Sequence, residues 1–341
     1  MFYSVLIVQI LHMHFSGLPY IKNETVGSHT AFQIVQYTAQ KIALWNNFVS
    51  KAKNANFQHR REYLEYHAHR FTDHSLLFMK DNNVLALFPA NVKDNTLYSH
   101  NGISFGGLLI NAHLKQKEVL LMFAALINYA RLNAFEKIVI RLQPHIYNRY
   151  FSEEISYALF KNNAVISARA ISSVINLQEQ LPYSKGRKWS LKKAMKHDIS
   201  MGESTNYDAF MELEKALLHY KYGAVPVHSA NELTLLSSIY PDKIKLYTVN
   251  FKNEMIGGVI IFLMGHVAKC QYICSNNICK ELNALDFLFT ELIKKFKYEI
   301  QFFDFGHSTL LNGHYLEATL IQNKESYGAR GVCYDTYTIN L

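Results

Sequence analysis

One succession of hydrophobic patterns occurs twice in this chain, and the repetition limits its fold more than any single motif. Leu76–Ala90 is two apolar runs around Asp81-Asn82-Asn83, and Lys245–Met264 is two around Lys252-Asn253-Glu254. Apolar runs broken by short Asn-containing turns predict β-hairpins. A further strand-like stretch follows each, Thr96–His100 and Val267–Cys274. Next, Glu118–Arg131 and Asn283–Lys297 space their apolar residues by three and four, as helices do. A buried strand follows in each half (Lys137–Gln143, Glu299–Phe305), then a second helix (around Ser152–Lys161 and Tyr315–Glu325) and a closing strand (Ala164–Leu177, Val332–Ile339). Each half also has a helical lead-in, Ala43–Lys53 with Tyr63–His69 and Ser190–Lys196 with Tyr207–Tyr220. The hairpins stand about 170 residues apart, a domain-sized period. The order predicts a mixed α/β fold of two tandem domains, residues 31–180 and 181–341.

Residues 1–30 precede this pattern. Their first fifteen, MFYSVLIVQILHMHF, are too short to span a bilayer and lack the basic start and small-residue cleavage site of a signal peptide. An added strand, an interfacial helix and an extension from an over-early start codon all fit them. No later run reaches spanning length, so no integral membrane segment is expected. The four cysteines (Cys270, Cys274, Cys279, Cys333) match neither a CxxC pair nor a zinc pattern. They predict reduced thiols, no metal and a cytoplasmic protein. The formal net charge of +8 suits nucleic acid, an anionic membrane or a phosphorylated substrate, and serves solubility equally well.

A mixed sheet that begins with hairpins and continues through a strand–helix–strand crossover resembles the GNAT acyltransferases. In that fold two central parallel strands splay apart, and the freed backbone groups can bind an extended pantetheine arm. The loop after the first of these strands, Ser275-Asn276-Asn277-Ile278-Cys279-Lys280, carries no glycine where many GNAT enzymes have a glycine-rich phosphate loop. Five segments resemble tandem-GNAT proteins of the Fem type, and more closely Fem-like proteins found among bacterial surface-polysaccharide genes. They are FPANVKDNTLYSHNGISFGGLLI (Phe88–Ile110), PVHSANEL (Pro226–Leu233), QYICSN (Gln271–Asn276), ALDFLF (Ala284–Phe289) and FDFGHSTLLNGHYLEATLIQNKESYGARG (Phe303–Gly331).

Acyl transfer to an amine needs a deprotonated nitrogen, a stabilised oxyanion and a protonated leaving group. Asp304 interrupts an apolar strand near its C-terminal end, where open α/β sheets place sites. It either takes part in the chemistry or braces the turn Gly306-His307-Ser308. His307 is the matching proton shuttle or a solvated loop residue. Gln271, Tyr272, Ser275, Asn276 and Asn277 lie where the donor arm would run, and His228, Lys324 and Tyr327 are candidate substrate contacts. Asn101-Gly102 and Gly106-Gly107 mark a turn in the first half, which is read as structural or acceptor-binding. The run KGRKWSLKKAMKH (Lys185–His197) is a connecting helix, or a dock for phosphates.

The resemblance implies an N-acyltransferase using acetyl-CoA or another acyl thioester, acting on an amino sugar or its nucleotide-linked form in polysaccharide synthesis. A Fem-type aminoacyl-tRNA-dependent transferase in cell-wall peptide synthesis and a catalytically silent GNAT scaffold are the alternatives. The implied partners are a small-molecule or nucleotide-sugar acceptor with a tRNA or acyl carrier protein as donor, and no DNA.

Overall fold

The computed structural model describes residues 32–341, so the extension at residues 1–30 lies outside the described residues. In the first half β1 (Gln33–Gln36) leads through α1 (Ile42–Lys51) and α2 (Arg61–Glu65) to β2 (Thr72–Asp73). Two hairpins follow, β3 (Leu76–Lys80) with β4 (Asn83–Phe88) and β5 (Asn91–Lys93) with β6 (Thr96–Tyr98). Then come β7 (Leu109–Ile110), α3 (Gln116–Leu132), β8 (Lys137–Arg141), α4 (Glu154–Lys161) and β9 (Val165–Asn176).

The second half opens with α5 (Lys185–Ala194), β10 (Ile199–Ser204), α6 (Tyr207–Tyr222) and α7 (Ala230–Ile239). The meander β11 (Ile244–Phe251), β12 (Glu254–Met264) and β13 (Val267–Ser275) precedes α8 (Asn277–Glu281) and α9 (Ala284–Phe296). It ends with β14 (Phe302–His307), β15 (Thr309–Leu310), β16 (Tyr315–Leu316), α10 (Ala318–Glu325) and β17 (Arg330–Asn340).

Both hairpins expected from the repeat form, and by the same device. Asp81 and Asn82 have φ of 47° and 65°, and Lys252 and Asn253 have 52° and 65°. Two left-handed residues in a two-residue loop match the right-handed twist of the flanking strands. The register closes at Lys80↔Asn83 and Phe251↔Glu254.

Two elements differ from expectation. Tyr315–Leu316 is a short strand paired with β15, so the second-half helix starts at Ala318. The stretch expected as a phosphate loop is instead the one-turn helix α8, because Asn276 Oδ1 accepts from Cys279 N at 2.9 Å and starts a helix.

Eleven strands form one sheet in the order β10-β11-β12-β13-β14-β9-β17-β8-β6-β5-β2. The closing strands are exchanged. β9, from the first half, pairs with β14 of the second, while β17, from the second, inserts between β9 and β8. β1, β3, β4 and β7 form a separate four-stranded sheet. Pro89, which has no N–H to donate, stands where the chain passes from one sheet to the other.

Each half has its own apolar core, and a third unites them. Phe57 packs its ring 5.2 Å from Tyr240 and 5.5 Å from Phe262 across the halves. Trp45, Tyr63 and Tyr147 of the first half share that cluster with Tyr207 and Phe210 of the second.

Candidate functional site

The parallel strands β13 and β14 stay paired for three positions only, Val267↔Phe302, Ala268↔Phe303 and Lys269↔Asp304. Beyond Lys269 the former keeps only β12 as a partner, and the latter turns to β9 through an irregular register between Asp304 and His307. The strands part into a cleft of about 920 Å³. Its walls are β13, the end of β14, one face of α6, the start of α9, α10 and part of α5.

Two lysines are buried where the strands separate. Lys269 Nζ donates to Gln271 Oε1 at 2.6 Å. Lys324 Nζ, from α10, donates to the carbonyl oxygens of Gly306 at 2.8 Å and His307 at 2.9 Å. Among the described residues neither forms an ion pair. Burial holds both below the ordinary lysine value, and Lys324 falls to about 8.

Asp304 is fully buried on the other side of β14 and does not line the cleft. Its carboxylate accepts from Tyr147 Oη at 2.6 Å, Ser172 Oγ at 2.5 Å, Tyr334 Oη, and Gly306 N at 2.7 Å. Burial and the adjacent Asp304 push both phenols well above the ordinary tyrosine value, so they stay protonated and donate. The carboxylate braces the turn at Gly306, whose φ of +78° favours glycine. That turn presents the two carbonyls that hold Lys324. Tyr147 comes from the first half and Ser172 from β9, so the exchanged strands meet at this carboxylate.

Other candidates separate by position. His307 lines the cleft and is solvent-exposed; partial burial, then Lys324 and Lys269, hold its ring below the ordinary histidine value. Gln271, Tyr272 and Ser275 line the β13 wall. Asn276 and Asn277 do not: the former caps α8 and the latter accepts from Lys280 Nζ at 3.3 Å. His228 lies outside the main cleft, lining a neighbouring cavity of about 400 Å³ with Arg70 and Glu232. It is joined to the cleft wall by a 2.7 Å hydrogen bond between its Nδ1 and Tyr272 Oη.

Tyr327 lines the cleft, yet its hydroxyl is committed to Asp286 Oδ1 at 2.8 Å. The same carboxylate pairs with Arg187, whose guanidinium lies 3.9 Å above the Tyr327 ring. Arg187 is thus the buried cation of the basic run, while Lys185, Lys188, Lys192, Lys193 and Lys196 face solvent with Trp189.

Three features escaped the sequence reading. Contact between Tyr147, Ser172, Tyr334 and Asp304 joins distant segments and leaves no trace in spacing. The Arg187–Asp286 pair is similarly remote. Glu214 did leave a signal: it interrupts the apolar stripe Phe210, Met211, Leu217, Leu218 of α6. It lines the cleft at only 5% exposure, its Oε2 has no hydrogen-bond partner among the described residues, and burial pushes it up to about 7.

Among the described residues no group of three or more His, Cys, Asp or Glu side chains is placed to hold a metal, and no helix is long and apolar enough to cross a membrane. The cysteines are free thiols, with Cys270, Cys274 and Cys279 buried and Cys333 exposed.

No family model matches the chain. No curated protein matches it either. Solved structures do, and they define the class of fold: two GNAT-like domains in tandem. The crystal structure of FemX aligns with a TM-score of 0.63 at 9% identity, covering 91% of this chain and 97% of that one. L-PGS from Bacillus licheniformis aligns at 0.58 and 11% identity, covering 88% and 91%. The C-terminal domain (DUF2156) of a putative lysylphosphatidylglycerol synthetase from Agrobacterium fabrum aligns at 0.58 and 7% identity, covering 89% and 92%. At these identities the likeness is one of fold.

Proposed function

We propose that this chain is a Fem-type acyltransferase that moves an acyl group, preferentially an aminoacyl group, from an activated ester to an amine in the cleft between β13 and β14. Residues 181–341 hold the reacting groups and residues 31–180 supply the acceptor side. The carrying observation is the pair of buried lysines where the strands part, which among the described residues have no carboxylate partner. A positive charge in a low-dielectric site stabilises the oxyanion of a tetrahedral intermediate far more than it would in water. Lys324 spends two N–H groups on Gly306 and His307, which aims the third. Asp304 acts as a positioning residue through the Gly306 turn, and His307 protonates the leaving oxygen. The openness of the cleft favours an enzyme over a silent scaffold, whose cleft would be filled by side chains.

An ester on a polyanionic carrier such as tRNA is favoured over acetyl-CoA for two reasons. Asp286 occupies the first turn of α9, next to the cleft, and a carboxylate there satisfies the helix dipole and repels a pyrophosphate. Its partner Arg187 is neutralised by it. Meanwhile α5, whose Gly186, Arg187 and Ser190 line the cleft, carries with the residues after it five exposed lysines, a charge pattern suited to a phosphate backbone. Acetyl transfer from acetyl-CoA to an amino sugar of a surface polysaccharide is the competing reading. Supplying alanyl-tRNA and acetyl-CoA separately, with glucosamine as a probe amine, tests both. Amide formed from the aminoacyl ester is expected. Comparable turnover of acetyl-CoA would replace the donor assignment, and no amide from either would overturn the function.

A further inference from the structure

The cleft is electrically divided. Lys269 and Lys324 lie on the β13, β14 and α10 side, while α6 presents Glu214, Leu217, Leu218 and Lys221 at the i, i+3, i+4, i+7 spacing of one helix face. A buried carboxylate oxygen with no donor is costly, and charged groups are kept in such places when a ligand or a reaction completes them. Glu214 Oε2 is such an oxygen, and among the described residues Glu214 forms no ion pair. The charge that develops in amide synthesis complements Lys324 and Glu214: negative on the carbonyl oxygen, positive on the attacking nitrogen.

We infer that Glu214 takes the proton from the acceptor nitrogen, so that the cleft selects an acceptor arriving as an ammonium ion. The inference rests on the acyl-transfer reading above. The ammonium gives one proton to Glu214, and its freed lone pair forms the C–N bond at the ester carbonyl while the π electrons move onto oxygen opposite Lys324. Collapse of the tetrahedral intermediate breaks the C–O bond of the ester. The nitrogen's second proton passes through His307, which gives a proton to the leaving oxygen, the third stays on the amide, and the proton on Glu214 returns to solvent.

Burial raises Glu214 to about 7, which suits proton transfer near neutrality. Tyr272 and Cys274 of β13 feel its charge, and both are held in their neutral forms chiefly by burial. Neither supplies a competing base.

The test is Glu214→Gln, which keeps shape and removes the base, assayed with the donor that the wild-type protein uses. Two probe amines are compared at pH 7: glucosamine, largely protonated, and methoxyamine, a weak base that is already neutral. Glu214→Gln is expected to lose about a hundredfold or more in kcat/KM with glucosamine and to match wild type with methoxyamine. An equal loss on both amines would give Glu214 a structural role and overturn the inference while leaving the transferase reading intact. Failure of the wild-type protein to form amide with any donor would remove both.

Discussion

Lys269 and Asp304 face each other as the last paired residues of the parallel ladder between β13 and β14. Everything assigned to the site follows from the ladder ending there. Past this pair β13 offers backbone to the cleft, and the carboxylate of Asp304 turns β14 at Gly306 so that two carbonyls reach Lys324.

Asp304→Asn places an NH2 group among four donors and leaves part of that buried set unmatched. A loss of about 2–3 kcal/mol is expected, with Tyr147→Phe costing about 1 kcal/mol. Urea unfolding of both variants checks this. An Asp304→Asn protein as stable as wild type would show that the carboxylate does not brace the turn.

Lys324 has a folded-state pKa of about 8 against an ordinary 10.5. Between those values the unfolded chain holds the extra proton, so Lys324's own contribution to stability rises with pH through that window. Below pH 8 the full penalty of a buried ammonium remains. Lys324→Met is therefore expected to unfold at higher urea than wild type at pH 7 and to lack this contribution to the slope between pH 8 and 10.5. A variant with the same slope as wild type would place the titration elsewhere.

At the acid end four buried or half-buried imidazoles act together. His59, His67 and His228 are held down to about 4 and His100 to about 3, mainly by burial. Hydrogen bonds fix His59 as the neutral tautomer, with Nδ1 accepting from Asn56 N and Nε2 donating to the Phe105 carbonyl. The unfolded chain protonates these rings near 6.5, so it binds more protons between 6.5 and 4. Stability is expected to fall steeply as pH drops through that interval. Urea midpoints at steps from pH 7 to 4 measure it, and a flat profile would contradict the assignment.

Arg187→Ala strands Asp286 in a buried site and is expected to cost about 3–5 kcal/mol. The Arg187→Ala, Asp286→Ala pair together should cost less than Arg187→Ala alone. If the double variant is the weaker, the ion pair is not what holds α5 against α9.

Much of this architecture was written into local pattern. The two hairpins, the long helices and the order of strands were legible because periodicity and turn residues such as Asn82 and Asn253 act over a few positions. The exchange of β9 and β17 was not, since either closing strand satisfies the same local pattern in either place. The site divided the same way. Gln271 could be chosen by its place on a predicted strand and Lys324 by its place at the close of a predicted helix, whereas the choice between reaction and bracing for Asp304 depended on Tyr147, far away in sequence. Glu214 could have been found as a carboxylate on an apolar helical stripe. Asn276 misled because a residue expected at a phosphate loop is equally a good helix cap.

In the proposed reaction the cleft at Lys269 and Lys324 forms an amide from an activated acyl ester, with Lys324 facing the oxyanion. Single-turnover amide formation from alanyl-tRNA and glucosamine, wild type against Lys324→Met, tests it most directly. Measurable product is expected with wild type and a fall of about a hundredfold or more in the variant at unchanged donor affinity. Equal rates in the two proteins would contradict it.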